Sequence, residues 1–215
     1  MNSTFKSPFI IRPDFLSPLT CEKMLADLNN TMPNMDADGN LLKIEKYNLA
    51  WEQDIVDRFQ DVKPEIEDRY DCIYRGLEKP LFQVYPENAK TPAEPPGCEN
   101  SRYIRKRWVK VKDIDLVGFI WLKDYNGNVP LDPAHEVFGG KLEFPAHNFS
   151  LVPQRGTLVM FPAGPHFITV ISPILYGSLP QIKLTVSVKT REDGHWFYQP
   201  TAHPGKWQDW LSAHL

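Results

Sequence analysis

The spacing of hydrophobic residues changes near residue 80 of this chain. Before that point apolar side chains recur every three or four residues, which is typical of helices. After it they alternate with polar side chains, or form short runs between Gly, Pro and Asn turns, which is typical of strands. The pattern predicts a helical N-terminal part over about residues 1–78 and a strand-rich core over about residues 80–190.

The helical part is predicted to begin with a short strand and to continue with helices. The apolar run Phe9–Ile11 predicts the strand, and Ser17 followed by Pro18 supplies an N-cap and a proline at the first helical position. One helical face is expected to carry Leu19, Met24, Leu25 and Leu28. A second apolar stripe is formed by Ile55, Phe59, Val62, Ile66, Tyr70 and Ile73. Pro64 interrupts this stripe, which predicts a kink or two abutting helices.

The core is predicted to be a sandwich or barrel of short strands. The predicted strands cover residues 81–85, 109–112, 117–122, 141–144, 149–152, 157–161, 167–170 and 181–188. In the last of them Lys183 alternates with Ile182 and Leu184, so its side chain is expected on the opposite face of the sheet. The predicted fold class is therefore mainly β with supporting helices, in a single domain of 215 residues that ends in a tail over 191–215.

Composition narrows the function classes. The formal net charge is -3 and there is no long basic run, which argues against a surface built to bind nucleic acid. The densest basic stretch, residues 102–107, is interpreted as a solvated loop or edge strand. The three cysteines are widely spaced, which indicates a reducing, cytoplasmic location. No signal peptide and no membrane span are expected, because no apolar run is long enough.

Several motifs follow one another in a characteristic order. Gly139 and Gly140 precede an apolar strand, and residues 153–161 form a turn and a further strand. His166 comes next, and Lys183 lies on a later strand. In this order the motifs resemble the 2-oxoglutarate/Fe(II)-dependent oxygenases related to prolyl 4-hydroxylases, and the resemblance extends from about residue 9 to residue 188. It implies a double-stranded β-helix, or jelly roll, as the core.

The resemblance also implies site residues. His166 corresponds to the distal iron-binding histidine of the family, and Lys183 to the basic residue that binds the carboxylate of 2-oxoglutarate. The family's proximal His-x-Asp motif is replaced here by Gly97, Cys98 and Glu99, which leaves Glu99 and His166 as the expected metal ligands. A shifted register, ranked second, offers Cys98 and Asn100 instead.

A glycine at position 97 removes one ligand, since non-haem iron is usually held by two histidines and one carboxylate. Three residues are candidates for the vacant place: Cys98, His135 and His147. The competing interpretation of Cys98 is a small buried hydrophobic residue. For the two histidines it is a surface or turn position.

Two functions follow from this resemblance. The first is an enzyme, a dioxygenase that hydroxylates an unidentified small-molecule or peptidyl substrate, with Fe(II) and 2-oxoglutarate as cofactors and ascorbate as an optional reductant. The alternative is a catalytically inactive pseudo-oxygenase that serves as a binding or regulatory module. A third hypothesis, a structural or carbohydrate-binding jelly roll, leaves the match between residues 139 and 183 unexplained. The sequence predicts no oligomeric state.

Overall fold

Three helices lie in the N-terminal part of the computed structural model, which describes residues 7–31, 42–44, 49–88, 99–105 and 107–190. They are α1 (Pro18–Thr31), α2 (Leu49–Phe59) and α3 (Lys63–Arg69). The predicted N-cap is confirmed, because Ser17 Oγ accepts a hydrogen bond from the backbone N–H of Thr20 at 3.1 Å. The break at Pro64 is also confirmed, since α2 and α3 are separate helices.

Two residues of the predicted helical stripes do not lie on a buried helical face. Leu19 belongs to the first turn of α1 but is 60% exposed, so the buried face of that helix begins with Cys21. Ile73 is 47% exposed and lies on a strand, because α3 ends at Arg69 and the chain turns at Asp71, whose φ is +47°. The positive φ ends the helix, because a left-handed residue cannot continue it.

Fifteen strands lie within the described residues. They are β1 (Ile10–Arg12), β2 (Leu42–Ile44), β3 (Cys72–Leu77), β4 (Leu81–Tyr85), β5 (Ser101–Ile104), β6 (Arg107–Lys110), β7 (Leu116–Trp121), β8 (Asp124–Tyr125), β9 (Glu136–Gly139), β10 (Leu142–Phe144), β11 (Phe149–Leu151), β12 (Leu158–Pro162), β13 (Val170–Ile171), β14 (Ile174–Tyr176) and β15 (Leu179–Thr190). The predicted strand at 109–112 is therefore shifted towards the N-terminus. The predicted tail lies outside the described residues.

The strands form a jelly roll, which confirms the predicted fold class. The major sheet has the order β1-β12-β7-β15-β4-β2, and β3 also pairs with β15. Two three-stranded sheets, β11-β10-β13 and β14-β9-β8, lie apart from it, and β5 and β6 form a separate two-stranded ribbon. β15 is central, because it pairs antiparallel with β7 and β4 and, further along, with β3.

The major sheet separates two hydrophobic cores. Ile182 and Leu184 of β15 are fully buried in the core that also contains residues of the helices, such as Ile55. Leu179, on the opposite face of the same strand, belongs to a second core in the interior of the jelly roll. The predicted alternation around Lys183 is confirmed, because its two neighbours face the helices and its own side chain faces the interior.

The predicted strand at 167–170 is wrong for most of its length. Residues Pro165–Phe167 form a 3-10 turn, and only Val170 of the predicted segment belongs to a strand. Proline fixes φ near the helical value and cannot donate to a strand ladder, which favours the turn.

One glycine connects the segment before α1 to the turn that precedes β12. Gly156 lies in the turn before β12 with φ +76°, and its carbonyl accepts a hydrogen bond from the N–H of Leu16 at 2.9 Å. A Cβ at this position would collide with the Leu16 carbonyl oxygen. The close approach fixes the segment before α1 against the major sheet.

Helices within the described ranges are too short or too polar to cross a membrane.

Candidate functional site

Two of the three principal predicted site residues are in direct contact. The ammonium of Lys183 lies 2.5 Å from a carboxylate oxygen of Glu99, and the residues are 84 positions apart in sequence. The side chains are 15% and 23% exposed, respectively. The contact is therefore a largely buried ion pair that water still reaches.

Lys183 is held by β15, which pairs with three other strands. Its direct partners across β15 are Phe119 on β7 and Leu81 on β4. Side chains directly opposite in a ladder share a face, so the lysine stem lies beside Phe119, which is 5% exposed. Hydrogen bonds on both sides of β15 leave this backbone position little freedom.

Glu99 is positioned by the residue that follows it. The backbone N–H of Asn100 donates to the carbonyl of Ala163 at 3.4 Å, and its side-chain amide donates to the carbonyl of Ile114 at 2.9 Å. The hydroxyl of Ser101 donates to Asn100 Oδ1 at 2.7 Å. Asn100 is 2% exposed. Its side chain anchors the start of the ribbon, and its oxygen already accepts a hydrogen bond.

His166 lies in the 3-10 turn that follows β12, with an exposed side chain. His147 Nε2 lies 2.6 Å from the backbone carbonyl oxygen of His166, which accepts its hydrogen bond. The His147 ring stacks on Phe167 with centroids 5.1 Å apart. Burial lowers the pKa of His147, the hydrogen bond to the carbonyl opposes that effect, and the nearby His166 adds to it. The two imidazoles are thus neighbours.

His135, another candidate ligand, does not join this group. His135 lies in the loop before β9, where its Nδ1 is 2.7 Å from a carboxylate oxygen of Asp132. The hydrogen bond from His135 lowers the pKa of that carboxyl group. Cys98 and Gly97 lie outside the described residues. Among the residues that the structure describes, no group of three or more His, Cys, Asp or Glu side chains could hold a metal ion.

The donor set that the structure describes does not fit a three-ligand iron site. It offers one carboxylate, which is engaged by Lys183, the exposed imidazole of His166, and the imidazole of His147, whose Nε2 is engaged by the His166 carbonyl. Asn100 adds only an amide oxygen that is already hydrogen-bonded. Iron of the non-haem oxygenase type requires a third protein ligand on the same face.

Polar residues that the sequence analysis did not single out also line this region. Gln83 and Gln181 are direct partners on β4 and β15, are 4% and 2% exposed, and hydrogen-bond to each other at 3.1 Å. Burial raises the pKa of Tyr85, and the charge of Glu99 raises it further. Gln83 interrupts the otherwise apolar strand β4, which is the sequence signal for an interior polar residue. Gln181 carries no such signal, because β15 also contains Lys183 and Thr185.

Comparison with known proteins finds matches among solved structures and none among family models or curated sequences. No family model and no curated protein matches this chain. The structure of a viral collagen prolyl hydroxylase from Paramecium bursaria Chlorella virus-1, in complex with 2OG, matches with a TM-score of 0.59. The match has 14% identity and covers 86% of this chain and 97% of the viral one.

Two other solved structures match in the same way. A prolyl-4-hydroxylase of Pseudomonas putida has a TM-score of 0.54 and 13% identity, over 86% of this chain and 93% of that one. A prolyl hydroxylase of Trichoplax adhaerens, in complex with a hypoxia inducible factor peptide fragment, has a TM-score of 0.50 and 13% identity, over 84% and 83%.

The chain shares the jelly-roll fold of these prolyl hydroxylases. The resemblance in fold predicted from the motif order is thereby confirmed, over most of the chain. Because the identities are low, the likeness concerns the fold, and function must be argued from the site.

Proposed function

We propose that this chain is a pseudo-oxygenase: a jelly roll of the prolyl 4-hydroxylase type that serves as a binding or regulatory module without turnover. One observation carries the proposal. The residue expected to bind the metal, Glu99, and the residue expected to bind the cosubstrate, Lys183, bind each other at 2.5 Å.

Catalysis of the oxygenase type would need these two groups apart. In that arrangement Glu99 ligates the metal, and Lys183 binds the far carboxylate of a 2-oxo diacid whose carbon chain lies between them. An ammonium in direct contact with the carboxylate leaves no space for that chain. The contact also neutralises the positive charge of Lys183. A bound diacid would need that charge for its own carboxylate, because a buried carboxylate is costly without a cationic partner.

The ligand set supports the same proposal. Gly97 stands where the family has its first histidine and offers no ligand atom. His135, a candidate replacement, is paired with Asp132 in another loop. With Glu99 engaged by Lys183 and His147 Nε2 engaged by a backbone carbonyl, affinity for a divalent ion should fall well below that of a complete triad.

The test is a comparison of metal binding and turnover. The full chain is titrated anaerobically with Fe(II), and 2-oxoglutarate decarboxylation is then followed as succinate formation with Fe(II) and ascorbate. We expect weak metal binding and no turnover above a protein-free control. Turnover that is lost in His166→Ala, but kept in the matched loop variant His135→Ala, would refute the proposal.

A second candidate, an active dioxygenase acting on a small-molecule or peptidyl substrate, is favoured by a different observation. The hydrogen bond from Asn100 N–H to the Ala163 carbonyl brings the Glu99 segment next to the turn that carries His166. Under this candidate Glu99 and His166 would hold Fe(II) and Lys183 would bind 2-oxoglutarate, after the ion pair has opened. The Trichoplax structure contains a peptide, which is consistent with a peptidyl substrate here.

Restoring the absent ligand separates the two candidates. Under the dioxygenase candidate, Gly97→His should tighten Fe(II) binding and raise 2-oxoglutarate decarboxylation. Under the pseudo-oxygenase proposal, a folded Gly97→His variant should bind no more iron than the parent, because Lys183 still engages Glu99. The cytoplasmic location and the absence of a nucleic-acid partner remain predictions.

A further inference from the structure

We propose that the outer edge of β5, in the two-stranded ribbon, binds an extended acidic segment of a partner protein with the pattern acid, apolar residue, any residue, acid. The inference rests on the proposed function, because it names the partner of the binding module. The binding surface is the ribbon itself, which is separate from the other sheets.

The ribbon is the most basic part of the chain. Residues 102–112 contain six Lys or Arg residues and no Asp or Glu, whereas the whole chain has a formal net charge of -3. A local excess of positive charge attracts anionic partners and disfavours cationic ones. The charge of the ribbon therefore determines the sign of the partner's charge.

Two arginines of the ribbon are available to a partner. Arg102 on β5 and Arg105 in the turn between the strands are exposed, and within the described residues neither has an ion-pair partner. By contrast, Lys110 on β6 is engaged by Asp113 and Asp115, at 3.4 and 2.8 Å. The base of the ribbon is thus neutralised, and the unpaired positive charge lies on β5 and in the turn.

The face that carries Arg102 also carries apolar side chains. Arg102 lies opposite Val109 in the ladder, and Ile104 is two residues further along β5, so the three share one face. The opposite face includes Ser101, which is 8% exposed and turns towards the protein. Ile104 is 43% exposed. An apolar side chain therefore stands in solvent beside the two arginines.

The ribbon has an open edge. Its sheet consists of β5 and β6, so within the described residues no third strand occupies the outer edge of β5. An edge strand presents backbone N–H and C=O groups that can pair with an extended peptide. A third strand would also stabilise the ribbon, because a two-stranded sheet is marginal by itself in water. Charge and open edge together fit an extended acidic segment.

The edge is held in place at the base of the ribbon. The carbonyl of Asn100 accepts hydrogen bonds from the N–H groups of Val111 and Lys112, at 2.7 and 3.1 Å. The side-chain amide of Asn100 donates to the carbonyl of Ile114. An edge that is already ordered loses little conformational freedom when it binds, which favours its use as a docking strand.

Antiparallel addition to β5 sets the pattern of the bound segment. An acid opposite Arg102 and an apolar residue opposite Ile104 lie two positions apart in the added strand, on one face. A second acid, just before the apolar residue, then lies beside the turn that carries Arg105. Single-stranded nucleic acid fits this face less well, because it binds through many phosphate contacts and aromatic stacking, and Ile104 supplies neither.

The first experiment varies the probe and leaves the protein unchanged. A fluorescein-labelled peptide, Thr-Glu-Val-Thr-Glu-Thr, is titrated with the full chain by fluorescence anisotropy, with a chelator and without 2-oxoglutarate. We expect saturable binding that weakens as salt rises. The matched peptide Thr-Lys-Val-Thr-Lys-Thr should bind at least about tenfold more weakly. Of two acidic peptides N-methylated at alternate residues, one should lose binding and the other keep it, because only one set of amides faces β5.

The second experiment varies the protein. Arg102→Glu/Arg105→Glu should weaken binding of the acidic peptide by about tenfold or more, and Ile104→Ser by about threefold to tenfold. The matched control is Lys23→Glu/Lys189→Glu, which reverses the same number of exposed charges on α1 and β15 and should bind within about twofold of the parent. Thermal unfolding checks that each variant folds. If the double reversal does not fold, Arg102→Gln/Arg105→Gln replaces it, with a loss of binding again expected.

Three results would overturn the inference: equal binding of the acidic and basic peptides, retained binding of both N-methylated peptides, or a charge-reversed ribbon that binds like the control variant. A single-stranded oligothymidylate that binds more tightly than the acidic peptide, through the same arginines, would also overturn it and indicate a nucleic-acid surface. These outcomes are separate from the test of the proposed function. The pseudo-oxygenase proposal fails on turnover of 2-oxoglutarate with Fe(II), which the metal-free binding assay does not measure.

Discussion

Breaking the interior ion pair should lower the free energy of unfolding by a measurable amount. Exposed ion pairs contribute about 0.2–1 kcal/mol, whereas removal of one partner of a buried pair costs about 3–5 kcal/mol. The pair of Lys183 and Glu99 lies between these limits, with a 2.5 Å contact and exposures of 15% and 23%. We expect Lys183→Met, which keeps the length of the side chain, to lower the free energy of unfolding by about 1–3 kcal/mol.

A double-mutant cycle isolates the pair from other effects of the two changes. Lys183→Met, Glu99→Gln and the double variant are unfolded with urea at fixed pH and at two salt concentrations. The double variant should lose less than the sum of the single losses, because it leaves no unpaired charge. The expected coupling is about 1–2 kcal/mol, within the range for residues in contact.

A surface pair provides the matched control. Arg58 and Asp54 are four residues apart on α2, with a 3.6 Å contact and exposures of 39% and 42%. The corresponding cycle, with Arg58→Met and Asp54→Asn, should give a coupling below about 1 kcal/mol that decreases with salt. If the interior pair couples no more strongly than this surface pair, its burial adds nothing to the stability of the contact, and the reasoning is refuted.

Three further predictions concern the framework of the site, each checked by urea unfolding. Gly156→Ala should cost at least about 2 kcal/mol, because a left-handed φ is strained with a Cβ and the new atom collides with Leu16; an unchanged midpoint would contradict this. Phe161→Ala should cost about 3–5 kcal/mol, since this 1% exposed ring fills the interior core; a cost below about 1 kcal/mol would show that the core collapses around it. Burial lowers the pKa of Lys123 from 10.5, so the unfolded chain holds that proton more tightly. The stability of the parent relative to Lys123→Met should therefore rise as pH approaches 10.5, and a pH-independent difference would argue against the buried charge.

Local patterns in the sequence determined the fold class and the direction of key side chains. The change of period near residue 80 separated helices from strands, and Pro64 separated α2 from α3. Strand alternation placed the side chain of Lys183 on the face of β15 opposite to those of Ile182 and Leu184. These features are set by residues close together in the chain, because helical and strand periods depend only on local backbone geometry.

The order of motifs along the chain also identified the type of jelly roll, and the match to prolyl hydroxylase structures agrees with it. The prediction of strands from apolar residues was less reliable where proline changed a local preference. The segment after Pro165 was predicted as a strand from its apolar residues, but it begins with a 3-10 turn. The fixed φ of proline outweighed the β propensity of the residues that follow.

Only the tertiary structure decided which interior side chains meet. Lys183 and Glu99 are 84 residues apart, and Gln83 and Gln181 are 98 apart. In sequence, Lys183 and Glu99 belong to separate motifs that imply different ligands, the cosubstrate for Lys183 and the metal for Glu99. Their contact depends on the order of strands in the major sheet and on the anchoring of Asn100 beside Ala163. Such contacts join segments far apart in the chain, so no local period or spacing specifies them.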